Sequence, residues 1–321
     1  MILRYGLVIA VWVMASASMA PGQDLVFTDG FECGSVCGWN GAEPEPACYG
    51  ETDVLLPGFV TMTFVEIPAG VFMMGSLDQG SDPDEDLHRV TLTSNYVIGK
   101  HEVTQQQWSA MGFSNPSTFL SCGGSCPVET VNYYEAAAFA NAVSVSEGLT
   151  ECYSLTGCAG NPGQGMECSY IGVLAVCSGY RLPTEAEWER AARAITQTRF
   201  SHGDVLECGD VCESCSAHDQ YMLYCGNAAS TTEPVGSRLA NAFGIFDAHG
   251  SVYELVQDWY QASLGTDPAT DPTGPTTGFD RTVRGGAWNY AAATCRSANR
   301  NEYPMTNRGA DVGFRLARPA Q

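Results

Sequence analysis

Two groups of side chains carry the chemistry open to this sequence. In Asp247-Ala248-His249-Gly250-Ser251-Val252-Tyr253-Glu254 the carboxylates of Asp247 and Glu254 bracket the carbonyls of Gly250 and Val252. Carboxylates alternating with backbone carbonyls suit a hard cation such as calcium; a solvated acidic loop is the plainer reading of the same residues. The second group is cysteine. There are 14, an even count that suggests disulfides in an oxidising compartment. Cys208, Cys212, Cys215 and Cys225 contain a C-x2-C step that also occurs in zinc sites, but an exported chain turns such spacing toward disulfides. Cys122 with Cys126, Cys152 with Cys158, and Cys168 with Cys177 are the expected local loops, although spacing alone does not fix connectivity. Cys295 stands apart, either half of a disulfide or a free thiol. The histidines (His88, His101, His202, His218 and His249) are scattered and predict no cluster. No nucleophile elbow or phosphate loop is present.

Export is read from the N-terminus. Arg4, an apolar run over residues 6–14 and small residues at 15–20 form a signal-peptide pattern over residues 1–20. The run is too short to span a bilayer, and no cysteine sits at the cleavage site to take a lipid. The expected mature protein is secreted or periplasmic, with no membrane span after cleavage. With 15 Lys+Arg against 36 Asp+Glu, the net charge is −21 and Lys100 is the single lysine. That excludes a nucleic-acid binder, which needs a basic stripe.

These groups must be positioned by short elements. Residues 21–58 read as a Cys-containing acidic leader or linker (Cys33, Cys37, Cys48), and residues 59–318 as one domain of short apolar runs broken by Gly, Asp, Asn and Pro. No repeat is visible. Thr104 is placed to N-cap a helix over residues 105–111, with Gly112 after it. Asn132 with Glu135, and Thr184 with Glu187, form capping boxes for two more helices. In the third, Trp188, Ala191 and Ala192 share one face. Strands are expected over residues 60–67, 89–98 and 282–284. So few long elements predict a loop-rich α+β domain pinned by disulfides and bound cations.

Five motifs in order carry a specific resemblance: Ile67-Pro68-Ala69-Gly70-Val71-Phe72-Met73-Met74-Gly75-Ser76, Glu102-Val103-Thr104, Arg181-Leu182-Pro183-Thr184-Glu185-Ala186-Glu187-Trp188-Glu189, Arg284-Gly285-Gly286-Ala287-Trp288, and Gly313-Phe314-Arg315. Together they resemble the formylglycine-generating enzyme family, the sulfatase-modifying-factor domain, over residues 60 to 318. The resemblance implies a C-type-lectin-like complex fold stabilised by calcium. It places calcium ligands at Asp247, Gly250, Val252 and Glu254, and a second site at Asn227 and the Ala228 carbonyl. The stretch 230–241 that should complete that second site is short.

The resemblance also implies an oxidase that converts a cysteine of a client sulfatase to formylglycine on copper held by two cysteines. Soft thiolates select Cu(I). Here the first falls on Tyr290 and the second on Cys295, which leaves half a copper site. Anchored instead on Arg296-Ser297-Ala298-Asn299-Arg300, Cys295 lies nearer than the second cysteine should. A branch that uses histidine-bound iron needs a histidine cluster and an extra helical domain, and neither is expected. The sequence therefore predicts a binding or interaction module, or a non-standard modifier, with a cleft near Trp288, Tyr290, Arg296 and Arg300 for a polypeptide or a small acidic ligand. The alternative is an oxidase of exported sulfatases with Cys295 as the surviving catalytic thiol.

Overall fold

The first sheet begins earlier than the sequence texture suggests. In the computed structural model, which describes residues 50–78 and 81–320, Glu51–Leu56 (β1) pairs antiparallel with Val60–Ile67 (β2), from Glu51 opposite Val65 to Leu56 opposite Val60. Gly58 turns the hairpin at φ 76°, a conformation glycine adopts without steric cost. Val54 and Leu56 are buried in the core. This corrects the leader boundary: residues 51–56 belong to the domain, and their two-residue alternation was too short to stand out beside a Gly- and Pro-rich segment. The expected signal peptide and Cys33, Cys37 and Cys48 lie outside the described residues.

Gly70–Met74 (β3), His88–Leu92 (β4) and Tyr96–Gly99 (β5) follow. The single strand expected over residues 89–98 is two, because Asn95 turns the chain. Its Oδ1 accepts from the Ala69 amide at 2.8 Å and its Nδ2 donates to Glu66 at 2.7 Å. Then β4 pairs with β3, and β5 with β2. Gln105–Ala110 (α1), Tyr133–Ser146 (α2) and Glu185–Arg193 (α3) each start at the expected N-cap, with complete capping boxes at Thr104/Gln107, Asn132/Glu135 and Thr184/Glu187. Between α2 and α3, Tyr153–Ala159 (β6) and Glu167–Val173 (β7) form a hairpin. After the short Ser216–Asp219 (α4) come Tyr253–Trp259 (β8), Ala269–Thr270 (β9), Asp280–Arg284 (β10), Arg300–Pro304 (β11), Val312–Gly313 (β12) and Ala317–Pro319 (β13).

The strands assemble as β1-β2-β5-β13, β11-β10-β8-β12, β3-β4-β9 and β6-β7. Pairing of β13 with β5 brings the last strand back to the first sheet. One core packs Trp108 flat on Phe139 at 5.4 Å between centroids, with Phe314 edge-on to Phe139 at 5.6 Å. A second collects Trp188, Ala191 and Ala192 of α3 against β3, β4 and β5 residues, the face predicted for that helix.

Among the described residues the cysteines form the bridges Cys122–Cys126, Cys152–Cys177, Cys158–Cys168, Cys208–Cys215 and Cys212–Cys225. The pairings 152–158 and 168–177 are corrected by register: Cys158 lies opposite Cys168 across β6 and β7, so the bridges staple the hairpin next to its turn and at its base. The four cysteines from 208 to 225 are consumed as disulfides, not as zinc ligands.

Candidate functional site

The loop before β8 is bent by left-handed residues, with φ 58° at Asp247, 81° at Gly250 and 63° at Ser251. Gly250 is required by space as well, since a Cβ there would come within 2.0 Å of the Leu223 carbonyl oxygen. The bend turns the carboxylates inward. Glu254, at the start of β8, is fully buried; its Oε2 accepts from Trp188 Nε1 at 2.9 Å and Arg315 Nε at 2.5 Å, and its Oε1 from Arg315 Nη2 at 2.7 Å. Asp247 Oδ2 accepts from the Gly236 amide at 2.7 Å.

A third carboxylate joins them. Glu102, between β5 and α1, accepts from the Val252 amide at 3.3 Å through Oε1, while its buried Oε2 has no partner. Burial pushes the Glu102 carboxyl well above its usual range, and the neighbouring Asp247 and Glu254 push it further. Burial likewise raises Asp247 to about 6. Sequence reasoning did not assign Glu102 a role; its signal was Glu102-Val103-Thr104, used only as a family marker.

The loop gathers buried negative charge with little to balance it. Three buried carboxylates face one guanidinium, Arg315, and an orphaned buried oxygen lacks the partner that buried polar groups require. Among the described residues no group of three His, Cys, Asp or Glu side chains is placed to hold a metal ion. Asn227 is otherwise engaged: its Oδ1 accepts from the Tyr224 amide at 3.0 Å, and its Nδ2 donates to Asp219 and to the Met222 carbonyl, each at 3.0 Å. That turn uses the side chain that a second cation site would need.

Cys295 is the one free cysteine among the described residues. It is fully buried with Phe200, Met222, Tyr224 and Ala292, and burial pushes its thiol up to about 12. Tyr290, at the place of the missing cysteine, is 37% exposed and sets its ring edge-on to Tyr253 at 5.1 Å. Copper held by two thiolates does not fit these residues, since Cys295 is buried and Tyr290 supplies no thiolate.

Of the expected cleft residues, Trp288 is half-buried, donating to the Ala310 carbonyl at 3.2 Å and meeting Phe119 edge-on at 5.2 Å. Arg296 and Arg300 are corrected. Arg296 is buried and clamped on both oxygens of Glu85 at 2.6 and 2.7 Å. Arg300 is buried on Glu185, with Nε at 2.7 Å and Nη2 at 2.8 Å. In a chain with more than twice as many acids as bases, the guanidiniums are taken up inside.

The histidines also depart from expectation. His202, His218 and His249 gather around Phe200, with His202 Nε2 3.2 Å from His218 Nδ1. His249 bonds Ser201 and the Cys295 carbonyl. Burial lowers His202 to about 2 and His249 to about 4. Loop closure unites residues 16 and 47 positions apart, which no local spacing reveals.

Fold and site define a loop-rich α+β domain with a buried carboxylate loop and, among the described residues, a single free thiol. Residues 58–320 match the FGE-sulfatase family, described as the sulfatase-modifying factor enzyme 1-like domain, and the chain belongs to this formylglycine-generating enzyme family. It is 31% identical to the Chaperone protein LppX of Paenibacillus barcinonensis, over 71% of this chain and 81% of that one. It is 28% identical to the formylglycine-generating enzyme of Thermomonospora curvata, over 81% and 95%. Against six further curated relatives it spans 38 to 48% of their length. Among solved structures it is similar to Treponema denticola variable protein 1, with 30% identity and TM-score 0.70 over 84% of this chain and 99% of that one. The fold is thus the C-type-lectin-like complex fold of this family.

Proposed function

We propose that this protein is an exported interaction module of the family, held in shape by calcium and not acting as a copper oxidase. The observation that carries the reading is the Cys295 thiol, buried in an apolar cluster with its ionisation suppressed, while Tyr290 stands where a second thiol is needed. Copper oxidase chemistry needs accessible thiolates. Five disulfides among the described residues fit an oxidising compartment, and no described helix is long and apolar enough to cross a membrane. Calcium would be held by Asp247, Glu254 and the Gly250 and Val252 carbonyls, with Glu102 as an added oxygen donor. It supplies the positive charge that Arg315 alone does not.

The ligand favoured is a polypeptide. Arg296 and Arg300, the groups suited to a small acidic ligand, are neutralised by Glu85 and Glu185, whereas Tyr290 and Asn289 remain exposed beside Trp288. The test is titration of the native protein with Cu(I). No retained copper is expected; a stoichiometric ion lost in Cys295→Ala would overturn the reading.

A further inference from the structure

We propose that the outer edge of β7 is a docking site for an extended, uncharged segment of another polypeptide, which adds a third strand to the β6–β7 hairpin. Among the described residues β7 pairs with β6 and with no other strand. A bare edge is a row of unpaired backbone donors and acceptors that proteins usually blunt with Lys, Pro or a covering element. β7 reads Glu-Cys-Ser-Tyr-Ile-Gly-Val, with neither Lys nor Pro, and leaves Tyr170 59% and Val173 44% exposed. Nor is this edge simply open to solvent: residues 169–173 line a cavity of about 610 Å³, together with residues 273–277 and the ring of Trp259.

Two polar side-chain atoms on residues that line the cavity have no hydrogen-bond partner. Gln257 Oε1 and Arg281 Nε are buried without partners, on residues 7% and 4% exposed. Arg281 is fixed there, its guanidinium 3.5 Å from the Trp259 ring centre and 4.1 Å from that of Tyr133, with Nη1 donating to the Gln257 carbonyl at 2.5 Å. An unmet acceptor and an unmet donor suit a peptide backbone, which offers both N–H and C=O.

The occupant follows from order and charge. Cys158–Cys168 and Cys152–Cys177 hold the hairpin rigid, so little conformational freedom is lost when a strand is added. In a chain of net charge −21, the lining contains no Asp, Glu or Lys, and its single charge, Arg281, lies against the rings of Trp259 and Tyr133. A segment with apolar side chains at alternate positions therefore fits, as in strand addition generally. The site is independent of the Trp288 and Tyr290 surface, because no residue from 288 to 300 lines the cavity.

The test uses the full chain and a random linear heptapeptide library displayed on phage. The expected result is enrichment of uncharged peptides with β-branched or aromatic residues at alternate positions. The best synthetic peptide should slow amide exchange at residues 169–173. N-methylation of its alternate amides, or Thr277→Trp placed in the cavity wall, should each weaken binding about tenfold or more, with the melting temperature of the variant unchanged. No enrichment, or affinity indifferent to both changes, overturns the proposal. So does protection, in the free chain, of those amides of residues 169–173 that do not bond to β6: if concentration-dependent it assigns the edge to a second copy, and if not, to the chain itself.

Discussion

The α-carbon of Gly286 rests against the thiol of Cys295 so closely that a Cβ there would lie 2.6 Å from Sγ. Gly286 holds φ 71°, so the Gly285-Gly286 pair that marks the family also serves here to seal a sulfur inside. Packed on all sides and kept neutral by burial, Cys295 behaves as a small core residue. This packing, together with the tyrosine at position 290, is what supports the proposed reading over the oxidase alternative.

Glu102→Gln keeps the shape of the cation loop and removes one charge. With chelator present, the melting temperature should match or exceed wild type, because three buried carboxylates no longer compete for Arg315. With calcium added, the rise expected for wild type should shrink, since a ligand that binds only the folded state stabilises it by mass action. Differential scanning calorimetry with and without calcium reads both arms. An equal calcium response in the two proteins would remove Glu102 from the site, and no response in either would remove the site.

Acid should weaken the protein through its buried histidines. Folded His202 stays neutral until about pH 2, held down first by burial and then by His249 and His218, whereas the unfolded chain takes up that proton near pH 6.5. The contribution is therefore complete above pH 6.5 and is lost as pH falls, by up to about 1.4 kcal/mol per pH unit. Urea melts at pH 7, 6 and 5 should show a shallower decline for His202→Gln than for wild type. Parallel curves would mean that His202 titrates normally.

Arg296→Met should destabilise by about 3–5 kcal/mol, the usual cost of leaving a buried carboxylate without its partner, here Glu85. Adding Glu85→Gln should recover part of that loss, measured by urea melts. If Arg296→Met instead melted like wild type, the residue would return to the list of candidate ligand contacts.

The capping boxes at Asn132 and Thr184 and the strand at residues 60–67 were legible because each is local: a side chain reaches its own backbone, or β-branched and aromatic residues cluster in one short run. The ordered motifs made the family legible for a related reason, since residues such as Gly286 and Arg284 answer to fixed packing. What the sequence hid is long-range. Glu102 meets the Val252 amide 150 positions away, Arg296 meets Glu85 across 211, and Cys152 reaches past Cys158 to Cys177. Those partners are chosen by sheet register and loop closure, which leave no local trace.

The account is tested most directly by offering the native protein Cu(I), oxygen and a peptide with a single cysteine, and following peptide mass for the aldehyde product. The prediction is unchanged peptide, with no difference between wild type and Cys295→Ala. Aldehyde formed by wild type and lost in Cys295→Ala would contradict it.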